Sequence, residues 1–465
     1  MTDINFTEDF AGTPFRPAAP DQKERDPSLF ALLFQGAMRN PLTAIPREAF
    51  DLPYRRLKVL HLTYHGINDP DGIKRVFLDN AANYQRPGMV RRMLAPMLGD
   101  GLVNAEGETW RNQRRMMAPV FSPAATTAFT PIFAQVAERA ADRWAAGDSD
   151  CLDMAEEATR ATLEVIDQAL FSGQSGMSFE ETADHVRSFL YGSTEVRLGL
   201  LLGMEALDNG PAQRRARLAR RILVDRMSAF INRRADEPEP PEDFVTRLYK
   251  AFLREHPRDA AIQLTLDNAM TFFVAGHETT ANAITWALYL LSRDRQAQAW
   301  AHEEARGAWD AGRSPEDILA RLPYLRMVWD ETLRLYPPAY RIEREAMADD
   351  ELCGHKIRKG DQVTIWPWVV HRHRMLWTAP ELFNPENFDP EAKAGHHRYQ
   401  YIPFGAGPRV CIGLPFAQAE GLLILSHWLA RFRFRPVVGH TVEPWADATL
   451  RPAGGMPLIV ERADR

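Results

Sequence analysis

The chain contains little cysteine: only Cys151, Cys353 and Cys411 occur in 465 residues. An odd, sparse and scattered set of cysteines is not a disulfide framework, and it indicates a reducing compartment. We therefore expect a cytoplasmic protein. In such a protein a cysteine with unusual neighbours is a candidate for metal or catalytic chemistry.

Long apolar runs and an excess of positive charge are also missing. No stretch reaches the roughly 18 uninterrupted apolar residues that indicate a membrane-spanning helix, since the longest apolar region, 272–291, contains His277 and Glu278. The N-terminal ten residues, MTDINFTEDF, are acidic and polar, unlike a signal peptide. We expect a soluble protein with no membrane anchor. The net charge of −6 argues against nucleic acid as a partner.

What is present is mostly helical periodicity. One helical pattern follows another from about residue 110 to 234, and long patterns cover 260–293 and 324–335. The segment 235–243 contains three prolines and five acids, so it is a surface loop. Short strand-like segments lie far apart, at 58–64, 362–366, 432–435 and 457–461. This order predicts a mainly α fold with a smaller β portion (α+β). Because distant strands must pair, we expect a single domain over residues 1–465.

The segment 404–413 reads F-G-A-G-P-R-V-C-I-G. Its glycines and proline specify a tight turn, and helical periodicity begins after Gly413, so Cys411 lies at the N-terminus of a helix. Unpaired backbone N–H groups and the helix dipole stabilise a thiolate there. The glycines Gly405, Gly407 and Gly413 would let the backbone lie against a flat ring. The alternative is a buried structural cysteine between two glycine turns, and that alternative stands for Cys151 and Cys353.

This string resembles the haem-binding loop of the cytochromes P450, F-x-x-G-x-R-x-C-x-G, and the following F-A-Q-A-E is also similar to the family. The resemblance implies that Cys411 is the axial ligand of a haem b iron and that Phe404, Gly405 and Gly413 belong to the cofactor site. It also implies the family's fold, a helix-rich triangular prism with a β lobe. Haem would lie between the central helix, about 260–293, and the Cys411 loop.

A second motif, Glu331-Thr332-Leu333-Arg334, places an acid and a base three residues apart on one helix face. Within an apolar helix it resembles the E-x-x-R helix of the same family, which implies a buried structural ion pair. In the family a third residue, commonly arginine, comes from a P-E-R-F string. Here that string is Pro385-Glu386-Asn387-Phe388, so Asn387 replaces the arginine. Arg372 or His371 lies nearby in sequence, and the substitute for the missing charge stays open.

The third motif, Ala275-Gly276-His277-Glu278-Thr279-Thr280, lies in the middle of the long helix. A glycine costs roughly 1 kcal/mol there relative to alanine, and Ala275 with Gly276 would let the helix pass close over the haem. The Thr279 hydroxyl can bond back to the carbonyl of Ala275. The string resembles the family's A-G-x-(D/E)-T-T, which implies that Thr279 holds reacting oxygen and water and that Glu278 supplies protons. His277 is expected to be incidental. The alternative is a core helix with a satisfied threonine.

Haem carries two carboxylates that need cationic partners. Trp110 and Arg114 match the family's W-x-x-x-R helix, and Arg409 matches the basic position two residues before the cysteine. Arg344, ten residues before Gly354, is similar to a further carboxylate-binding residue of the family. For each arginine the alternative is a solvated surface charge, and Trp110 could equally be a core residue.

The implied function is a haem-thiolate monooxygenase that uses O2 to oxidise a hydrophobic small molecule, with electrons from a ferredoxin and its reductase. Two alternatives stay open. One is a peroxide-using or isomerising haem-thiolate enzyme, against which Glu278 and Thr279 argue, and the other is a non-catalytic haem-binding sensor. Chemistry without any haem is a remote third.

The substrate pocket is expected from apolar segments at 84–103, 189–210, 272–273 and 454–457, so a hydrophobic substrate is favoured. Arg91 or Arg92 would bind a substrate carboxylate, unless the pair is only solvated. Arginines and histidines near the Trp110 helix and before the cysteine loop would form a basic docking surface for an acidic ferredoxin, or would equally be plain solvated charges. These residues are Arg111, Arg115, His396, His397 and Arg398.

Overall fold

The computed structural model describes residues 15–24, 40–59, 62–176, 181–182, 184–186, 188, 210–309 and 312–463. Helices make up most of this chain. Their bounds are Pro70–Lys74, Gly88–Leu98, Gly107–Met117, Pro123–Thr127, Thr130–Ala146, Met154–Phe171, Pro211–Asp236, Phe244–Leu253, Arg258–Arg293, Arg295–Trp309, Pro315–Leu319, Pro323–Leu335, Pro367–Val370, Pro390–Ala394 and Leu414–Arg431.

The central helix is Arg258–Arg293, within two residues of the predicted 260–293. Every residue from 280 to 292 is buried, as expected for a helix that is apolar around most of its circumference. It packs against the helix Met154–Phe171 and against the cysteine helix, Leu414–Arg431. The central helix is therefore the axis about which the other helices of the site are placed.

The cysteine helix is buried from Ala419 to Leu429. A side chain at Gly421 would overlap the indole of Trp329, so glycine permits close contact with the ion-pair helix, Pro323–Leu335. Both helices agree with the predicted periodicity. Their contact fixes the region behind Cys411 to the region that carries Glu331 and Arg334.

The strands are short and form four sheets within the described chain. Five strands pair in the order β1-β2-β8-β5-β3, three in the order β4-β12-β9, and β6-β7 and β10-β11 form two-stranded ribbons. Their bounds are β1 Tyr54–Val59, β2 Leu62–Ile67, β3 Tyr84–Gln85, β4 Cys151–Asp153, β5 Ile342–Ala346, β6 Asp350–Leu352, β7 His355–Ile357, β8 Gln362–Ile365, β9 Phe432–Pro436, β10 Pro444–Ala446, β11 Leu450–Pro452 and β12 Pro457–Arg462.

Distant segments pair as predicted: Tyr64 lies opposite Gln362, and Arg435 lies opposite Ile459. The mainly α fold with a smaller β portion is therefore confirmed. The strand β4 at Cys151, which also lies opposite Ile459, was not predicted. The single strand predicted at 58–64 is wrong, because the chain forms an antiparallel pair, β1 and β2, across this segment. No glycine, proline, asparagine or aspartate marks a turn there, so the pattern on both arms looks continuous.

Candidate functional site

Cys411 lies between a 3₁₀ turn, Gly407–Arg409, and the start of the cysteine helix. Its backbone N–H donates to the carbonyl of Phe404 over 2.9 Å, which closes the loop. The side chain keeps accessible surface although protein surrounds the residue, so the sulfur faces a cleft within the protein. Burial raises the pKa of the thiol, and the Gly413 N–H and the Arg114 guanidinium oppose that rise. The predicted stabilisation of the thiolate is thus present, but burial outweighs it until a cation binds the sulfur.

Gly407 holds the cysteine loop close to a neighbouring segment of the protein. This residue has a φ of 66°, and a side chain on it would overlap the carbonyl oxygen of Phe77. Only glycine fits such a position without displacing the neighbouring backbone. The close neighbour of Gly407 is thus the protein itself, in contrast to the prediction that this glycine makes room for a flat ring. The close contact at Gly407 therefore fixes the distance between the cysteine loop and the Arg75–Asp79 turn.

The oxygen-side motif, residues 275–280, spans more than one turn of the central helix, so its side chains point in different directions. The Thr279 hydroxyl donates to the carbonyl of Ala275 over 2.8 Å, as predicted. Ala275 is exposed, whereas Val274 and His277 on the same helix are buried. A side chain on Gly276 would lie 2.9 Å from Cδ1 of Ile166, so Gly276 permits contact with the helix Met154–Phe171. The prediction that the pair Ala275 and Gly276 makes room for the same group is therefore corrected for Gly276, whose missing side chain would point to another helix.

Two neighbouring side chains of this motif differ in environment. His277 is buried and its Nδ1 lies 2.8 Å from the carbonyl of Phe273. Burial lowers the pKa of His277 to about 4, so it is a neutral core residue. Glu278 instead accepts a hydrogen bond from the Thr449 hydroxyl over 2.9 Å. Thr449 was not predicted, because it lies 171 residues away and no local pattern marks it.

The predicted buried ion pair is present. Glu331 and Arg334 are both 0% exposed, with Arg334 Nε 2.7 Å from Glu331 Oε2 and Nη2 2.7 Å from Oε1. The remaining donors of Arg334 reach the carbonyls of His371, Pro380 and Leu382, each over 2.8 Å. Arg334 therefore has all its hydrogen bonds within the protein, which is the condition under which a buried charge is tolerated.

Asn387 occupies the position at which the related motif commonly has an arginine, and it contacts Glu331 itself. Asn387 Nδ2 lies 3.3 Å from both carboxylate oxygens of Glu331, and the Asn384 backbone N–H donates to Oε1 over 2.8 Å. Arg372 instead stacks on Trp368, with its guanidinium carbon 3.5 Å from the ring centre. His371 contributes its carbonyl to Arg334. Neutral amide groups thus complete the coordination of Glu331.

Next to the cysteine loop, Arg409 covers the indole of Trp110, with its guanidinium carbon 4.3 Å from the ring centre. It also donates to the carbonyl of Ala105 over 3.0 Å and pairs with Glu106. Arg114, one turn beyond Trp110, lies close enough to Cys411 to lower the pKa of its thiol. The structure therefore places Trp110, Arg114 and Arg409 beside the cysteine.

Arg344 lies beside Arg409 in what we call the arginine cluster: Arg86, Arg91, Arg344 and Arg409. Burial and the positive charges of Arg86 and Arg409 lower the pKa of Arg344 to about 9. Its Nη1 donates to the carbonyl of Glu343 over 2.8 Å. Nε of Arg86 and Nε of Arg91 are buried without a hydrogen-bond partner among the described residues. These cations repel each other, so the cluster is suited to an anionic ligand.

Sequence reasoning missed Arg86 and Glu106. The Arg86 backbone N–H donates to Glu106 Oε1 over 3.1 Å, and Glu106 also pairs with Arg409. Glu106 is thus an internal counter-ion for the cluster. Arg86 follows β3, which pairs with β5, the strand that carries Arg344. The only sequence signal is an arginine between a strand and a proline, which does not distinguish it from a surface charge.

The residues predicted to form a docking surface for the electron donor differ in their exposure. Arg111, Arg115, His397 and Arg398 are exposed, whereas His396 turns inward against Trp377, with ring centres 4.8 Å apart. Arg115 and His397 have loose acidic neighbours, Glu255 at 3.4 Å and Asp71 at 3.5 Å. Aromatic contacts hold His396, which is only partly exposed, and its inclusion in a docking surface stays a prediction.

The expected substrate segments are only partly visible. Residues 189–209 lie outside the described residues. Phe272 packs against Phe121 and Phe273 against Phe171, with ring centres 4.7 and 6.2 Å apart. Arg91 is half-buried and Arg92 is exposed, so only Arg91 points into the protein.

In the ranges that the structure describes, we find no helix with both the length and the apolarity to cross a membrane.

Comparison with known proteins agrees with this geometry. The family model for Cytochrome P450 matches residues 27–456. Cyclooctatin synthase of Streptomyces melanosporofaciens is 31% identical over 398 residues, covering 84% of this chain and 85% of that protein. Human Cytochrome P450 4F12 is 32% identical over 419 residues, covering 84% and 79%. The crystal structure of the cytochrome P450DA heme domain has a TM-score of 0.80 at 22% identity and covers 98% of both chains.

Proposed function

Since this chain belongs to the cytochrome P450 family, a family of haem-dependent monooxygenases, we propose that Cys411 is the thiolate ligand of its haem iron and that the site oxidises a hydrophobic small molecule. One observation carries the assignment. Arg114 lies beside the accessible Cys411 sulfur, and Arg409 covers Trp110 on the helix that carries Arg114. A thiolate next to a group of cations is complementary to an iron porphyrin with two carboxylates.

The chemistry of the donor set fits haem. The buried, unpartnered Nε of Arg86 and the crowded guanidinium of Arg344 call for an anion at the arginine cluster. We assign the haem carboxylates to Arg344 and Arg409 as predicted, with Trp110 and Arg114, and we add Arg86. Phe404, Gly405, Gly413 and Ala275 would face the ring. When bound, haem supplies the activation of O2, which amino-acid side chains cannot provide.

The side chains of the protein itself supply protons and shape the cleft. The Thr279 hydroxyl hydrogen is committed to the Ala275 carbonyl, so its oxygen can accept a hydrogen bond from water. Glu278, the adjacent residue, is the proton source. A carboxyl group on the residue before a hydroxyl suits proton delivery over a short distance.

The acid–alcohol pair is tested by two substitutions. Thr279→Ala should keep haem bound and divert reducing equivalents to peroxide or water, and Glu278→Gln should slow turnover. Thr285→Val is the matched control, because Thr285 lies on the same helix with its hydroxyl bonded to the Ala281 carbonyl. Wild-type rate and coupling in both variants would contradict the proton role. Equal activity with hydrogen peroxide alone would support the peroxide-using alternative.

The electron donor is proposed to be an acidic ferredoxin, with its reductase, in the cytoplasm. The exposed Arg111, Arg115 and Arg398 support a basic docking surface on the side of the Trp110 helix. Arg111→Glu combined with Arg115→Glu should slow ferredoxin-driven reduction and flatten its salt dependence. Reduction by dithionite should be unchanged. A double variant that is reduced at the wild-type rate in low salt would place docking elsewhere.

The substrate is proposed to be hydrophobic because the segment 84–103, which we assign to the substrate pocket, is rich in apolar residues. Half-buried Arg91, with its unpartnered Nε, supports the carboxylate-binding version of that proposal. Spectral titration with matched pairs, each a fatty or aromatic acid and its methyl ester, separates the two versions. A preference for the acid that disappears in Arg91→Gln supports carboxylate recognition, and equal affinity for acid and ester contradicts it.

A further inference from the structure

We propose that Thr449 is a positioning residue that holds the Glu278 carboxyl group in place for proton delivery. The inference rests on the role proposed above for Glu278. Thr449 lies in the turn between β10 and β11, and its hydroxyl reaches across to the central helix. There it contacts Glu278 over 2.9 Å and Asn282 over 3.0 Å. These two residues are four positions apart and so lie on one helix face.

The direction of this hydrogen-bonded chain follows from the groups involved. The Asn282 side-chain nitrogen can only donate, so the Thr449 oxygen accepts from it. The single hydroxyl hydrogen of Thr449 is then left for Glu278 Oε1. The carboxyl group is thereby held at one oxygen by a donor that is itself oriented, and chains of this kind strengthen each bond.

The turn that carries Thr449 is itself tied to its surroundings. The Tyr340 hydroxyl donates to the carbonyl of Asp447 over 2.7 Å, and the Leu450 backbone N–H donates to the carbonyl of Pro338 over 3.1 Å. The indole of Trp286, on the central helix, donates to the carbonyl of Leu450 over 3.1 Å. Because two separate segments, 338–340 and the central helix, hold the turn, Thr449 is a fixed anchor for Glu278.

The same turn also borders an apolar region. Ala448, immediately before Thr449, packs against the buried cluster that contains Met97, Leu98 and Phe273. Met97 and Leu98 belong to the segment 84–103 that we assign to the substrate pocket, so the turn that holds Glu278 borders that region.

The test uses the haem-loaded protein and compares Thr449→Val, which removes the hydroxyl at nearly constant volume, with Thr449→Ser, which keeps it. Thr285→Val is the matched loss of a threonine hydroxyl away from Glu278. The first readout is the infrared carboxyl band that disappears in Glu278→Gln. We expect Thr449→Val to shift this band, and Thr449→Ser and Thr285→Val to leave it in place.

The second readout is oxygen uptake driven by NADPH through a surrogate ferredoxin and its reductase, measured in H2O and in D2O after subtraction of the uptake without the haem protein, which needs no identified substrate. Thr449→Val should slow uptake about tenfold and enlarge the solvent isotope effect, because a general acid contributes roughly 100-fold or more. Thr449→Ser should restore both. Adding Thr449→Val to Glu278→Gln should cause no further loss, since the two residues act as one unit.

The outcomes separate the two proposals. If Glu278→Gln slows uptake and Thr449→Val equals wild type with an unshifted band, the positioning role is overturned and the role of Glu278 stands. If Glu278→Gln takes up oxygen at the wild-type rate, the proton role of Glu278 is overturned and the positioning role falls with it. Slowing in Thr449→Val that Thr449→Ser does not reverse also overturns the inference.

Discussion

Two arginine-rich regions of this protein differ in how their charges are satisfied. Arg334, behind the cysteine helix, donates to a carboxylate and to three backbone carbonyls. Arg344, in the arginine cluster, has Arg86 and Arg409 as like-charged neighbours and Glu106 as a counter-ion, and burial together with the two arginines lowers its pKa to about 9. Arg334 thus has a protein partner for each of its donors, whereas Arg344 lies close to other arginines.

Whether the donors of a buried arginine have partners within the protein distinguishes a structural charge from a ligand-binding charge. A buried arginine whose donors all have protein partners stabilises the fold, because removing it leaves its partner unpaired. An arginine held among other cations raises the free energy of the protein alone and lowers it when an anion binds. We therefore expect substitutions in the two regions to affect different measurements.

The largest effect is expected for Arg334→Leu. The buried Glu331 would lose its charged partner, so the free energy of unfolding should fall by about 3–5 kcal/mol. Urea unfolding measures the loss. The matched variant Arg344→Leu should keep or slightly raise the stability of the haem-free protein, since it removes repulsion. Equal destabilisation by both variants would contradict the distinction.

The next effect concerns haem retention. Arg344→Gln and Arg86→Gln should each weaken haem binding about 10-fold or more, since a charge-assisted hydrogen bond contributes roughly 1.5–3 kcal/mol. Transfer of haem to apomyoglobin reports the release rate. Arg92→Gln, on the exposed side of the neighbouring helix, serves as the control and should release haem like the wild type. Unaltered release from Arg86→Gln would remove Arg86 from the site.

A smaller effect is expected from pH through His277. Its folded pKa of about 4 lies below the ordinary value of 6.5, so between these values the unfolded chain binds a proton that the folded chain does not. Stability is therefore complete at neutral pH and is lost as pH falls below 6.5, by about 1 kcal/mol at pH 5.5. His277→Leu should remove this part of the pH dependence in urea unfolding, and the exposed His397→Gln should leave it. Identical pH slopes for wild type and His277→Leu would contradict the assignment.

Local patterns predicted the parts of the site that lie within one element. The helical period located the central helix, and the spacing of Glu331 and Arg334 predicted their ion pair. The back-bond of Thr279 follows from the same period. These features depend on neighbours three or four positions away, which a sequence displays directly.

Contacts between distant segments were the part that could not be predicted. Arg86 reaches the site because β3 pairs with β5, and Thr449 reaches Glu278 because a turn of the C-terminal region folds onto the central helix. Gly276 was assigned the wrong neighbour, since the pattern does not reveal which helix face meets Ile166. The assignment of one domain to residues 1–465 stays a prediction.

The central claim is that Cys411 binds the haem iron through a thiolate, and the absorption spectrum of the reduced carbon monoxide complex tests it most directly. We expect the strongly red-shifted band of thiolate-bound haem in the wild type and in Cys151→Ala and Cys353→Ala, whose cysteines are exposed and remote in sequence. Cys411→His should bind haem without that band. A red-shifted band that persists in Cys411→His would contradict the account.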